Sequence, residues 1–177
     1  MPFVLLLGGA RSGKSAMAER IALVSGAPVT FIATAEPGDD EMATRIRRHR
    51  NQRPATWRTV EAPLELLAAV RSTSSSDFLV VDCLTLWVSN LLEKRTDAAD
   101  IHVAAEGVAQ ELASRQGVVV TNEVGLGIVP ANELARVFRD VLGTVNARFA
   151  ALAERAVLMV AGRALELPRA DIATRHD

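Results

Sequence analysis

The segment from Gly8 to Ser15, GGARSGKS, follows directly on the apolar run Phe3 to Leu7 and opens a stretch whose apolar residues recur at helical spacing. Gly8, Gly13, Lys14 and Ser15 satisfy the spacing G-x-x-x-x-G-K-[ST], and the strand before it and helix after it are the context that makes this pattern specific. Glycines let backbone N–H groups approach phosphate oxygens, and the start of a helix adds positive potential. Lys14 reaches the outer phosphates and the Ser15 hydroxyl holds a magnesium ion. A glycine-rich turn that merely packs helix on strand would explain the glycines alone; the full context sets it aside. The segment reads as a P-loop, and its implied ligand is a nucleoside triphosphate.

A strand that feeds a helix across such a loop belongs to a parallel sheet, and the rest of the chain repeats the alternation. Short apolar runs at Phe3–Leu7, Val29–Ala33, Phe78–Val81, Val118–Thr121 and Val157–Val160 predict strands. Between them, Lys14–Ser25, Asp40–Gln52, Pro63–Arg71, Ala98–Arg115 and Asn132–Arg155 carry helical periodicity and predict helices on both sheet faces. The stretch Arg71 to Asp77 is small and polar and predicts a surface turn, with no internal repeat and no linker to divide the chain. One domain spanning residues 1–177 is expected.

Bulk properties narrow the function classes. A formal charge of -1 argues against a whole-chain nucleic-acid binder. With 49% hydrophobic and 23% charged residues the chain reads as an ordinary globular protein. No run reaches the roughly 18 apolar residues of a spanning helix, and the opening MPFVLLLGG lacks a basic leader, so it reads as a first strand. The lone Cys83, inside an apolar run, forms neither an intrachain disulfide nor a metal cluster, which suits a reducing cytoplasm.

Open parallel sheets bind ligands at the carboxyl ends of their strands. Phe78 to Val81 ends in Asp82, the expected position of a carboxylate that orients the metal, although a strand-end aspartate also caps following helices. Val118 to Thr121 ends in Asn122 and Glu123, ahead of VGLGIVP. Glu123 has three readings here: a general base, a group behind the metal, or a salt-bridge partner of Arg136 or Arg139. His102 and His176 have no neighbours at metal-ligand spacing and read as surface histidines.

The segment DDEMATRIRRHRNQR, Asp39 to Arg53, begins acidic and ends basic, as a helix macrodipole favours. Arg45, His49 and Arg53 at i, i+4 spacing would share one helix face. An imidazole among guanidinium groups stays neutral and nucleophilic, and the arginines would absorb charge developing on phosphate. From composition alone a solvated basic face explains the same residues, and the two readings stay open.

These blocks together carry a resemblance. GGARSGKS, FIATAEPGDDEMATRIRRHRNQRPATWRTVEAP, VVDCLTLWVSNLL, VVVTNEVGLGIVP and FRDVLGTVNARFA, spanning about residues 3 to 162, resemble the bifunctional adenosylcobinamide kinase/adenosylcobinamide-phosphate guanylyltransferase family. The resemblance implies a RecA-like, mostly parallel P-loop sheet with helices on both faces and an antiparallel edge strand, assembled as a homotrimer. It implies phosphorylation of the adenosylcobinamide hydroxyl by ATP or GTP with Mg2+, then GMP transfer from GTP to give adenosylcobinamide-GDP. It further implies His49 as the nucleophile that carries GMP, since R-I-x-x-H-[RK] falls on Arg45, Ile46, His49 and Arg50; Arg48 stands where some relatives have a second histidine. Catalysis then rests on His49 and Lys14. Nucleotide contacts carry over to Gly8, Gly9, Ala10, Arg11, Ser12, Gly13, Lys14, Ser15, Ala33, Thr34, Ala35, Arg50, Asn51, Gln52, Arg53, Glu61 and Asp82, and the metal to Ser15 and Asp82. The competing reading is a P-loop kinase of another small metabolite, which needs the P-loop and Asp82 but no nucleophilic His49.

Overall fold

The structure is a computed structural model that describes residues 3–38, 40, 43, 44, 46, 47, 50 and 53–169. Strands β1 (Val4–Gly8), β2 (Val29–Ala33), β3 (Arg58–Glu61), β4 (Phe78–Asp82), β5 (Gly117–Val120), β6 (Arg155–Val160) and β7 (Arg163–Leu167) form one sheet in the order β3-β2-β4-β5-β1-β6-β7. Every pair is parallel except β6 with β7. The central strands are buried on both faces, which is why they read as continuous apolar runs.

Helices α1 (Lys14–Val24), α2 (Leu66–Arg71), α3 (Leu84–Glu93), α4 (Ala98–Leu112) and α5 (Glu133–Leu152) cover the sheet. Strand alternation divides the core into two layers. Leu5, Leu79, Val81 and Val119 pack with residues of α2 to α5, including the fully buried Trp87 and Phe149. Leu6, Val80, Val118 and Val120 face the other way, onto Ala18 and Ala22 of α1. One face therefore carries a thick helical layer and the other chiefly α1, leaving the sheet's carboxyl edge accessible beside the P-loop.

Two elements were not expected from the sequence. β3 is a short edge strand whose residues are all exposed or half-buried, so it has no apolar run. Helix α3 begins two residues after β4, and its apolar residues continue the strand's without a boundary. The antiparallel strand implied by the resemblance is β7, fully exposed along its length and held by pairing with β6. It returns through Ala161 and Gly162, both at positive φ (50° and 78°), the conformation that matches a two-residue hairpin turn to strand twist. The segment expected as a helix over Asp40–Gln52 is described in part: Asp40, Ala43, Thr44, Ile46, Arg47 and Arg50 are helical.

Candidate active site

β1 delivers the chain into the P-loop at Gly8, whose φ of 149° no other residue adopts readily. A Cβ there would lie 2.3 Å from the Met159 carbonyl oxygen, so β6 runs against the loop. The turn of the β6–β7 hairpin also braces it, the Gly162 N–H donating to the Ser12 carbonyl at 3.0 Å. Helix α1 then starts from Gly13 without a side-chain cap and without an acidic residue in its first turn, so its leading N–H groups face the cleft uncancelled. Buried Lys14 folds back over the loop, donating to the Gly8 and Gly9 carbonyls at 2.8 and 2.7 Å.

Asp82 closes the other side. β4 ends beside the P-loop helix, and the Ser15 hydroxyl donates to Asp82 Oδ2 at 3.1 Å. The wall formed by Ala33, Thr34 and Ala35 is fixed from behind. The Thr34 hydroxyl accepts from the Cys83 N–H and donates to the Cys83 carbonyl, both at 2.7 Å, while Asn90 Nδ2 donates to the Thr34 carbonyl at 2.8 Å. Thr34 is thus fully buried and acts through the main chain it holds, with Ala33 and Ala35 on the surface of the cleft.

The resulting cleft, about 670 Å³, is lined by the P-loop from Ala10 to Ser15, by Ala33, Ala35, Glu61 and Asp82, and by Arg47, Arg50 and Arg53. Arg53 lays its guanidinium 3.5 Å from the Phe31 ring centroid, and Phe31 in turn stacks on Trp57. Burial lowers the Arg53 pKa, and the nearby Asp82 and Glu19 carboxylates oppose that shift. Arg50 pairs with Glu61 at 3.4 Å across exposed surface, a contact too solvated to contribute much stability. Its value is to keep a cation at the rim. His49, Asn51 and Gln52 lie outside the described residues, as do Arg45, Arg48 and His176. His102 is half-buried on α4 rather than on the surface, and its Nε2 has no hydrogen-bond partner among the described residues.

Glu123 does not pair with either arginine considered for it. Arg136 donates to the Pro130 and Ala131 carbonyls, and Arg139 pairs with Asp140. The Glu123 carboxylate instead accepts from the Gly125 N–H at 2.6 Å within its own loop. Its neighbour Asn122 lines the cleft, although the sequence favours the carboxylate as the site residue.

A scan against protein families matches residues 4–167 to the cobinamide kinase / cobinamide phosphate guanyltransferase model. The chain belongs to this family. Its relatives include the bifunctional adenosylcobalamin biosynthesis protein CobP of Pseudomonas aeruginosa, 46% identical over 166 residues that cover 92% of this chain and 95% of that one. The corresponding CobU protein of Salmonella typhimurium is 43% identical over 175 residues, covering 90% and 96%. Family membership brings the two activities in the family's name, so the chain is a transferase acting first as a kinase and then as a guanylyltransferase. Among solved structures, the flagellar accessory protein FlaH of Methanocaldococcus jannaschii superposes with a TM-score of 0.53 at 14% identity, covering 94% of this chain and 77% of that one. The RadB recombinase gives 0.51 at 16%, covering 89% and 73%. Those likenesses show the fold, a RecA-like P-loop sheet with an antiparallel edge pair.

Proposed function

We propose that this member of the family phosphorylates the hydroxyl of adenosylcobinamide with ATP or GTP and then transfers GMP from GTP, through His49, to yield adenosylcobinamide-GDP. The observation that carries the proposal is the joining of Lys14, Ser15 and Asp82 with three arginines around one cleft. Phosphoryl and nucleotidyl transfer need little covalent help from a protein beyond positioning and charge, and this cleft supplies both.

In the kinase step the acceptor hydroxyl oxygen bonds to the γ-phosphorus as the bond to the β–γ bridging oxygen breaks, and the nucleoside diphosphate leaves. Lys14 and the first-turn N–H groups of α1 hold the phosphates. In the second step the imidazole of His49 attacks the α-phosphorus of GTP and pyrophosphate departs. An oxygen of the cobinamide phosphate then displaces the imidazole, so one difficult transfer becomes two. Arg47, Arg50 and Arg53 line the cleft where that charge develops. Asn51, Gln52 and Glu61 complete the proposed nucleotide contacts.

A hydroxyl and a carboxylate 3.1 Å apart at a P-loop are the oxygen set that Mg2+ takes together with phosphate and water, so Ser15 and Asp82 fit the ion and would hold it. Bound there it would neutralise charge on the β- and γ-phosphates. A homotrimer in the cytoplasm, acting on small molecules and not on nucleic acid, completes the proposal. The near-neutral charge supports small-molecule substrates over nucleic acid, and the buried free Cys83 suits a reducing compartment; among the described residues no helix is long and apolar enough to cross a membrane.

The test is incubation with α-labelled GTP and magnesium, followed by a denaturing gel and acid or base treatment. Acid-labile, base-stable label on the wild type and none on His49→Ala is expected. Absence of label on the wild type would refute the covalent step and favour a plain kinase.

A further inference from the structure

β5 lies between β1, which carries the P-loop, and β4, which carries Asp82. Whatever leaves its carboxyl end emerges between the phosphate cradle and the metal-side carboxylate. The parallel ladder continues past the strand's last residue: Thr121 N–H donates to the Leu6 carbonyl at 2.9 Å and Glu123 N–H to the Gly8 carbonyl at 3.2 Å. Alternation therefore still governs the side chains there. Val118 and Val120 face α1 and the P-loop, and Asn122 continues that face into the cleft. Thr121 and Glu123 belong to the opposite face, where the Thr121 hydroxyl donates to Asn146 Oδ1 at 2.7 Å.

The main chain of Asn122 is clamped on both sides. Its N–H donates to Thr85 Oγ1 at 2.7 Å, and its carbonyl accepts from Asn146 Nδ2 at 3.0 Å. Thr85, Thr121 and Asn146 are all buried, so two helices and the strand end commit buried polar groups to holding one peptide in place. Meanwhile the Asn122 carboxamide makes no hydrogen bond among the described residues. A rigidly mounted amide with its donors and acceptor unspent, between P-loop and Asp82, is a preorganised group for charge that develops on a phosphoryl oxygen.

Resting on the reading of this cleft as the kinase site, we infer that Asn122 is a catalytic residue of phosphoryl transfer and Asn146 its positioning residue. Asn122 Nδ2–H donates to a non-bridging oxygen of the γ-phosphoryl group as the acceptor oxygen bonds to phosphorus and the nucleoside diphosphate leaves with the electron pair of the broken bond. The carboxamide neither gains nor loses a proton; the proton of the acceptor hydroxyl passes to water.

Steady-state phosphorylation of cobinamide by ATP, with nucleotide affinity measured separately, tests the assignment on the full chain. Asn122→Ala is expected to lower kcat about 100-fold, as loss of one such donor does elsewhere, while leaving the ATP Kd within about threefold. Asn122→Asp, the same shape without the donor, is expected to fall at least as far. Asn146→Ala is expected to lower kcat with little change in Kd, and the double variant to be no slower than Asn122→Ala alone, since both remove one function. Wild-type kcat in Asn122→Asp would overturn the catalytic assignment even if Asn146→Ala fails to fold. Additive losses in the double variant would overturn the positioning role. A wild-type enzyme that phosphorylates no cobinamide would instead defeat the kinase reading itself.

Discussion

Adjacent glycines at the mouth of the P-loop carry opposite predictions. Alanine at Gly8 must adopt a φ near 149°, costing about 1–3 kcal/mol. Its Cβ would also stand 2.3 Å from the Met159 carbonyl and 2.9 Å from Ser12 Oγ, where main chain of β6 must move, adding roughly 1–3 kcal/mol. Together these reach about 4 kcal/mol. At roughly 3 °C of melting temperature per kcal/mol for a chain of this size, Gly8→Ala should unfold about 10 °C below wild type. Alanine at Gly9 would meet nothing within 4 Å, so its stability should stay within about 1 kcal/mol of wild type. Thermal unfolding of both variants without nucleotide reads the difference directly. Equal melting temperatures for the two would refute the close packing of β6 against the loop at Gly8.

Thr34→Val removes both hydrogen bonds to Cys83 inside the core and should cost about 2–4 kcal/mol, measurable by urea unfolding. Burial pushes the Cys83 thiol up from its ordinary 9.0 to about 12, so the native protein should resist thiol reagents at pH 8 and react only on unfolding. Because the folded-state value is the higher one, the contribution of Cys83 to stability is whole below pH 9 and is lost as pH rises from 9 towards 12; Cys83→Ala should flatten that part of the profile. Asp82→Asn and Ser15→Ala should each raise the magnesium concentration needed for half-maximal turnover, at least tenfold for Asp82→Asn, where a charge is lost.

Much of this architecture is legible in the sequence because the central strands are buried on both faces, and β-branched runs such as LVV and VVV announce them. The P-loop was equally plain, since phosphate binding by backbone leaves a signature of glycines. The elements without a sequence signal lack one for physical reasons. The four residues of β3, RTVE, are held by pairing with β2 and bury too little to show a pattern. Helix α3 is apolar where it meets strand β4, so no change of period marks its start. Asn122 has no signal of its own in the sequence, because the carboxylate beside it is the residue type that base and metal chemistry call for. Counting by twos from Val118 would have put position 122, not 123, on the P-loop face. His49, the residue proposed to carry GMP, lies outside the described residues, and that proposal rests on the motif around it.

Both transfers fall to one chain acting on one corrinoid. Mass spectrometry of adenosylcobinamide incubated with the purified protein, ATP, GTP and magnesium follows the two transfers in sequence. A phosphate-sized gain is expected first and a GMP-sized gain after it, both absent with Lys14→Ala. A corrinoid that leaves the reaction unchanged in mass, or that gains only the phosphate while GTP is abundant, would contradict the assignment of both transfers to this chain.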